Sequence, residues 1–337
     1  MFYNLFIKIF NYSVSFGGQE RYIKIISNEL VNREVDFLFV GTPISLANSF
    51  ISFDYKNKNK VYVVNVLNGN RALFKRGWFF SNSLKVYIQH SHFKDSQGFF
   101  LKRYIRFVLF KILLKRMDII IRVCNDALPS KLAPEKIFTI YNGVELPNFE
   151  RRDCINRPFT LLMVGSINEN KNQILALNLL KIQSDLNLVL VGDGPKMEEW
   201  KEWATINNLN SRVTWTGFVE DPGLYFSQAD AFLLLSEFEA FPFVVLEAMS
   251  YSLPVISTNV GGVPEAITHN KNGLLLPSRD ILSLQNAVKQ LTTDPNLCER
   301  LGKEARKTVE EKFSKEKMVD DFLSLIVQGA RRKGLIL

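Results

Sequence analysis

Residues Ala231-Phe232-Leu233-Leu234-Leu235, Ser236-Glu237-Phe238-Glu239-Ala240-Phe241-Pro242 and Phe243-Val244-Val245-Leu246-Glu247-Ala248-Met249 read as a buried strand, a loop with two acids, and an apolar helix that starts at a proline. An unbroken apolar run of five suits a strand covered on both faces, as in a parallel sheet. Glu247 is flanked by core-type residues, and desolvating its carboxylate costs several kcal/mol unless a strong partner is present. The paired hydroxyls of a ribose are such a partner, because an ionised carboxylate accepts two hydrogen bonds. A glutamate satisfied inside the protein is the plainer account. Glu239 lies on the loop, within reach of the same cleft. The N–H groups of Phe243 and Val244 at the helix start suit a phosphate.

Working outward, short apolar runs alternate with helix-length amphipathic segments, the pattern of α/β architecture with parallel sheets. Strands are expected over Leu5–Phe10, Val35–Val40, Val61–Val66, Lys85–Gln89 and Met117–Val123, then Phe159–Val164, Leu186–Val191, Ala231–Leu235 and Pro254–Ser257. Helices are expected over Glu20–Asn32, Phe99–Lys115, Lys171–Lys181, Lys196–Asn207 and Val244–Ser250. Asn, Arg, Asp and Pro cluster over Asn148–Pro158 without apolar periodicity, which marks a linker. The expected organisation is an N-terminal doubly wound domain over 1–152, a second over 153–313, and a basic helix over 314–337 able to serve either. Two such domains facing each other would place their strands' carboxyl ends on a shared crevice, where open α/β sheets bind ligands.

Three glycine turns follow expected strands. Ser15-Phe16-Gly17-Gly18-Gln19-Glu20-Arg21 opens a helix, where adjacent glycines allow close approach and unpaired amides suit an anion. It is not GxGxxG, so a dinucleotide fold is poorly supported. In Val164-Gly165-Ser166-Ile167-Asn168-Glu169-Asn170-Lys171-Asn172, a lysine near a helix N-terminus opposes the helix dipole, which argues for something negative beside it. A diphosphate would fit, although a solvated surface lysine is the commoner fate. Val191-Gly192-Asp193-Gly194-Pro195 reads as chain punctuation, with no chemistry assigned.

The chain of 337 residues is long enough for two cores. It has no apolar run of the ~18 residues a membrane span needs. Met1–Tyr12, interrupted by Lys8, reads as a first strand and not as a signal peptide. Cys124, Cys154 and Cys298 are far apart, which fits a reducing cytoplasm and argues against a structural zinc or a disulfide framework. No DxD motif is present to hold a divalent cation.

Charge is uneven: residues 1–157 carry 24 Lys and Arg against 12 Asp and Glu, and the remainder carries 18 against 22. The basic half should face something anionic: nucleic acid, a phospholipid surface or a phosphate-bearing acceptor. No nucleic-acid-binding motif is recognisable, and that reading leaves Glu239 and Glu247 unexplained. Lys102, Arg103, Arg106 and Arg116 share one arc of the helix over 99–117, with Lys111 and Lys115 nearly opposite, so it is not a clean membrane helix. Lys75, Arg76, Trp78, Phe79 and Phe80 form a second basic-aromatic cluster. Part of the helix's apolar surface entering the core is the plainer account, and a peripheral contact with an anionic membrane surface is the alternative.

Glu239 and Glu247, eight residues apart, resemble the E-x7-E element of retaining glycosyltransferase family 4, also called group 1, which has the GT-B fold. The resemblance runs in order through most of the chain. Gly17-Gly18-Gln19-Glu20-Arg21 is similar to the family's N-terminal glycine loop, Tyr141-Asn142-Gly143-Val144-Glu145 to its interdomain turn, and Val164–Lys171, with Gly165, to its phosphate loop. Pro254-Val255-Ile256, Gly261-Gly262-Val263-Pro264-Glu265 and Asn272-Gly273-Leu274-Leu275 match later blocks. The resemblance implies that Gly18, Gly165, Lys171 and the amides of Phe243 and Val244 contact the donor diphosphate. It puts Val219 and Asp221 beside the base, Glu247 on the ribose and Glu239 on the donor sugar, and makes His90 the active-site histidine, ahead of His92. It leaves His269 on the surface. Catalytic roles then fall to Glu239, His90 and Lys171.

The family departures are Ser166, where an arginine is usual, and Ala240 and Ser252, where glycines are usual. The resemblance implies metal-independent transfer from a nucleotide-diphosphate sugar to a saccharide acceptor in cell-surface polysaccharide or lipopolysaccharide synthesis, and the two basic-aromatic segments favour a lipid-linked acceptor at the inner membrane face. Configuration would be retained by front-face attack. A non-catalytic glycosyltransferase-like subunit and a sugar-nucleotide epimerase of similar fold are the alternatives.

Overall fold

The structure, a computed structural model, describes residues 5–11, 18–33, 37–41, 59–64, 83–90, 108, 110–112, 114–133, 135–148, 158–277 and 279–336. The chain divides into two compact units, one of residues 1–142 with 315–337 and the other of residues 143–314.

In the N-terminal unit, β1 (Leu5–Asn11), β2 (Phe37–Gly41), β3 (Asn59–Val64), β4 (Leu84–Gln89), β5 (Ile119–Arg122) and β6 (Ile137–Thr139) form one sheet in the order β2-β1-β3-β4-β5-β6. Every pairing is parallel. β4 and β5 are buried along their whole length, Lys85, Gln89 and Arg122 included. Helix α1 (Gly18–Asn32) turns Tyr22, Ile23, Ile26 and Leu30 inward, all fully buried at helical spacing. β6 was not foreseen from the sequence, because it has three residues and is half-buried throughout.

The second unit repeats the plan. β7 (Phe159–Val164), β8 (Leu186–Val191), β9 (Val213–Gly217), β10 (Ala231–Leu234), β11 (Val255–Thr258) and β12 (Leu274–Leu276) form a parallel sheet ordered β12-β11-β10-β7-β8-β9. The order reverses between β7 and β10, so the loops leaving those neighbouring strands diverge and open a crevice at their carboxyl ends. Helices α2 (Gln173–Ile182), α3 (Met197–Ile206), α4 (Gly223–Gln228), α5 (Phe243–Ser250), α6 (Val263–Ala266), α7 (Ile281–Thr293) and α8 (Pro295–Lys312) complete it. Leu161, Leu188, Leu233 and Ile256 from the strands pack with Leu177, Leu180, Trp200, Leu284 and Leu301 from the helices. Asp280 caps α7 by accepting from the Ser283 amide at 2.8 Å, and Asp294 caps α8 by accepting from the Leu297 amide at 3.0 Å.

Helix α9 (Lys315–Arg332) belongs to the N-terminal unit although 172 residues, 143–314, separate it from the rest. Its Asp320 pairs with Arg33 beyond the end of α1 at 2.5 Å, and Lys315 stands 3.6 Å from Glu29. Phe322 is fully buried, and Gly329 lies so close to the sheet that a Cβ there would come within 2.5 Å of the Ile119 side chain. Phe322→Ala should therefore destabilise the N-terminal unit by roughly 3–5 kcal/mol. In a Trp78→Phe background, which leaves Trp200, Trp203 and Trp215 of the other unit as the fluorophores, far-UV circular dichroism should show an early urea transition that tryptophan fluorescence does not follow. Coincident transitions shifted together would contradict this.

Candidate functional site

At the switch point of the second sheet, the loop after β7 meets the loop after β10. The Lys171 ammonium reaches the Glu239 carboxylate at 2.5 Å, both side chains largely withdrawn from solvent at 20% and 13% exposure. Ser236 donates its hydroxyl to the same Glu239 oxygen at 2.7 Å. Asn170 ties the loops together three times. Its side chain accepts from the Phe238 amide at 2.9 Å and donates to the Phe238 carbonyl at 3.2 Å, and its own carbonyl accepts from Glu237 at 2.9 Å. The negative group that the position of Lys171 demanded is therefore present within the protein. A carboxylate fixed this way can hold an ammonium in place, and the pair can offer one donor group and one acceptor group to a ligand.

The turn after β8, to which the sequence reading gave no chemistry, sets the position of the loop after β7. Gly192 has φ +136°, and a Cβ there would sit 2.1 Å from the Gly165 carbonyl oxygen; one at Gly194 would sit 2.3 Å from the Ile167 carbonyl oxygen. The backbones bond directly, Gly165 N–H to Val191 and Ile167 N–H to Asp193. The Lys171 chain lies over Gly165, its Cε 3.5 Å from where a Cβ would stand.

Glu247 is 9% exposed on α5, one turn past the amides of Phe243 and Val244. Its charge and that of Asp221 both face the Tyr251 hydroxyl, whose pKa is raised by burial first and then by these two carboxylates. Asp221 itself is exposed after β9 and accepts from the Gly223 amide at 2.9 Å, with Val219 half-buried two residues before it. Tyr251 stacks on Phe226 at 5.5 Å. Sequence reasoning missed Tyr251, Asn170 and Ser236, whose roles are set by partners far along the chain. Ser166 is exposed. Lys196 stands beside that loop, its amide on the Ile167 carbonyl and its ammonium on Glu169 and Glu199, both at 2.7 Å. Hydrogen bonds that it donates to these two glutamates raise its pKa to about 12.

In the N-terminal unit, Gly18 is the first residue of α1 and His90 follows β4, so both lie at the carboxyl ends of strands. The His90 ring meets the Tyr22 ring of α1 edge-on at 4.9 Å. Burial pushes its pKa down to about 3, so the ring is neutral near pH 7. Gly17, Lys75, Arg76, Trp78, Phe79, Phe80, His92, Lys102, Arg103, Arg106, Cys154 and residues 149–157 of the expected linker lie outside the described residues. Lys111, Lys115 and Arg116 are exposed, next to Ile112 at 42%. His269 accepts from the Leu275 amide through Nδ1 at 3.0 Å. Among the described residues no three His, Cys, Asp or Glu side chains are grouped to hold a metal ion, and no helix is long and apolar enough to cross a membrane.

Two parallel doubly wound units define a GT-B protein. HepE of Anabaena, solved in complex with UDP, shares this fold with a TM-score of 0.78 at 16% identity, over 96% of this chain and 99% of that one. Residues 148–308 match the family described as glycosyl transferases group 1. The N-acetyl-alpha-D-glucosaminyl L-malate synthase of Bacillus anthracis is 36% identical over 138 residues, 41% of this chain and 36% of that enzyme. The UDP-Gal:alpha-D-GlcNAc-diphosphoundecaprenol alpha-1,3-galactosyltransferase of Escherichia coli is 30% identical over 214 residues, 58% of this chain and 54% of that one. The chain thus spans between about a third and about half the length of these two relatives.

Two outcomes follow from the geometry. Gly192→Ala should cost about 3 kcal/mol or more, because it combines a disfavoured backbone angle with a backbone clash. Urea unfolding followed by tryptophan fluorescence measures it, and a loss below 1 kcal/mol would mean the turns are not so tightly stacked. For His90, the unfolded ring takes up a proton below about pH 6.5 while the folded ring resists down to about 3. Stability therefore falls as pH drops through that window. The urea midpoint should drop more between pH 7 and pH 5 in the wild type than in His90→Gln; equal drops would count against the buried neutral ring.

Proposed function

We propose that the chain is a glycosyltransferase that moves a sugar from a nucleotide-diphosphate donor, bound by the second unit, to a saccharide acceptor received by the N-terminal unit. The observation that carries this reading is the Lys171–Glu239 pair at the switch point, where an α/β sheet of this order binds ligands. In this reading Gly165 and Lys171 meet the diphosphate with the amides of Phe243 and Val244, and Gly18 is the diphosphate contact that the family resemblance implies. Glu247 accepts from the ribose hydroxyls, Val219 and Asp221 flank the base, and Glu239 holds hydroxyls of the transferred sugar.

The reaction needs negative charge stabilised as the nucleoside diphosphate leaves. An ammonium already fixed by Glu239, together with helix-start amides, supplies that without reorganising. Lys171 is the stronger contributor, since removing one preorganised charged donor costs about 10²–10³ in rate. His90, neutral near pH 7, orients an acceptor hydroxyl by hydrogen bonding. Transfer proceeds without a metal ion and with retention of configuration. HepE solved with UDP and with UDP-glucose supports a nucleotide-sugar donor. Relatives named for transfer onto diphosphoundecaprenol-linked saccharides support a lipid-linked acceptor, at a cytoplasmic membrane face reached through the exposed Lys111, Lys115 and Arg116. Lipopolysaccharide core enzymes among the relatives support cell-surface polysaccharide synthesis as the setting.

The second reading, a non-catalytic subunit, is favoured by Ser166, which leaves the loop after β7 without the family's arginine. Thermal melting with nucleoside diphosphates and their sugars separates the readings. One nucleotide class should raise the melting temperature equally with and without EDTA, and Glu247→Ala should weaken that ligand by about 10–100-fold, as expected for lost charged hydrogen bonds. Lys171→Ala should slow nucleotide release from the matching nucleotide sugar sharply. Binding with no turnover in the wild type favours the subunit, and a strict Mg²⁺ requirement would contradict the metal-free mechanism.

A further inference from the structure

Away from the switch-point site, the N-terminal unit contains a cavity of about 230 Å³ at the edge where β4, β5 and β6 begin, the opposite end of β4 from His90. Its apolar floor is Leu84, Ile119, Phe138 and Leu325, and its rim carries Lys136, Arg332 and Lys333 against Asp118 and Glu135. Beneath the rim is a fourth cation. Lys85, only 6% exposed, donates to the Ser83 carbonyl at 3.4 Å, and Lys333 donates to the same oxygen at 2.8 Å. Two ammonium groups thus converge on one carbonyl oxygen, with Asp118 as the carboxylate beside them, 2.6 Å from Lys333. Burial and the neighbouring Lys333 charge both lower the Lys85 pKa, as surplus positive charge requires.

Lys136 uses two of its three donors on the Lys115 and Met117 carbonyls, at 3.2 and 3.0 Å, where a helix ends. Helix capping does not account for Arg332 and Lys333. The end of α9 is closed by its own backbone: the Gly334 amide donates to the Arg331 carbonyl and the Leu335 amide to the Ala330 carbonyl, with Gly334 at φ +66°. Arg332 is exposed and has no carboxylate partner among the described residues.

We propose that this cavity is a second ligand site, one that takes a small organic anion with its charged group at Arg332, Lys333 and Lys136 and a compact apolar body on Leu84, Ile119, Phe138 and Leu325. The volume lies below the ~300–1,000 Å³ of sites for drug-sized ligands, so the occupant is smaller than a nucleotide sugar. A guanidinium beside ammonium groups suits a phosphate monoester, which it can hold through two parallel hydrogen bonds. Occupancy would brace α9 against the strand edge and so raise the stability of this unit.

Isothermal titration with phenyl phosphate, inorganic phosphate and phenol tests it on the full chain. Phenyl phosphate should bind more tightly than either fragment, and its affinity should be unchanged by saturating UDP. Arg332→Gln, at an exposed position, should weaken it about tenfold, as expected for one charged hydrogen-bonding partner. Lys307→Gln, which removes the same charge from exposed α8, should not weaken it. Equal affinity for phenyl phosphate and inorganic phosphate, displacement by UDP, no binding, or equal losses in both variants would each overturn the proposal.

Discussion

The contact between the Lys171 ammonium and the Glu239 carboxylate joins segments 68 residues apart, at the one place in the second sheet where neighbouring strands send their chains in opposite directions. Withdrawing two charges from water costs several kcal/mol, and their attraction offsets this only when geometry and further hydrogen bonds are good. Here Ser236 occupies the carboxylate and Asn170 clasps the backbone of Phe238 from both sides. The pair is therefore held by its surroundings and not by its own attraction. An incoming anion would find the ammonium already aimed, with Glu239 as a neighbour to share it.

That arrangement depends in turn on absent side chains. The loop carrying Lys171 rests on a turn that only glycine can form at this distance, since even one extra carbon at position 192 would overlap a peptide oxygen. Strand ends, glycine turns and helix starts are thus one assembly in the second unit. Glu247, Tyr251 and Asp221 extend it along α5 and the end of β9, where two carboxylates share one phenol's environment. The separate cavity under α9 lies at the end of β4 opposite His90.

How much of this was legible in the sequence follows from which interactions are local. Strand β10 was readable within a residue or so because it is apolar and buried throughout, and β7 and β8 because a single polar residue in each, Thr160 and Asn187, interrupts an otherwise apolar run. β6, β9 and β12 were missed: each is at a sheet edge, short or partly exposed, and Thr214 and Thr216 interrupt the apolar signal in β9. Lys171, Glu239 and Glu247 stood out because each is a charge where local pattern disfavours one. Asn170, Ser236 and Tyr251 carried no such conflict, since a polar residue in a loop is unremarkable until its distant partner is known. The glycine turn at 192–194 looked like punctuation because its reason, the carbonyl oxygens of residues 165 and 167, comes from another strand.

The discontinuity of the N-terminal unit has an effect during synthesis. A ribosome delivers residues 1–142 well before 315–337, so the sheet side that α9 later covers, with Leu84 and Ile119 on it, spends that interval unshielded. The unit spanning 143–314 is contiguous and can complete itself first, reversing the usual N-to-C order of domain maturation. The earlier-made half of the chain is thus the one finished last, and the one most exposed to capture by chaperones.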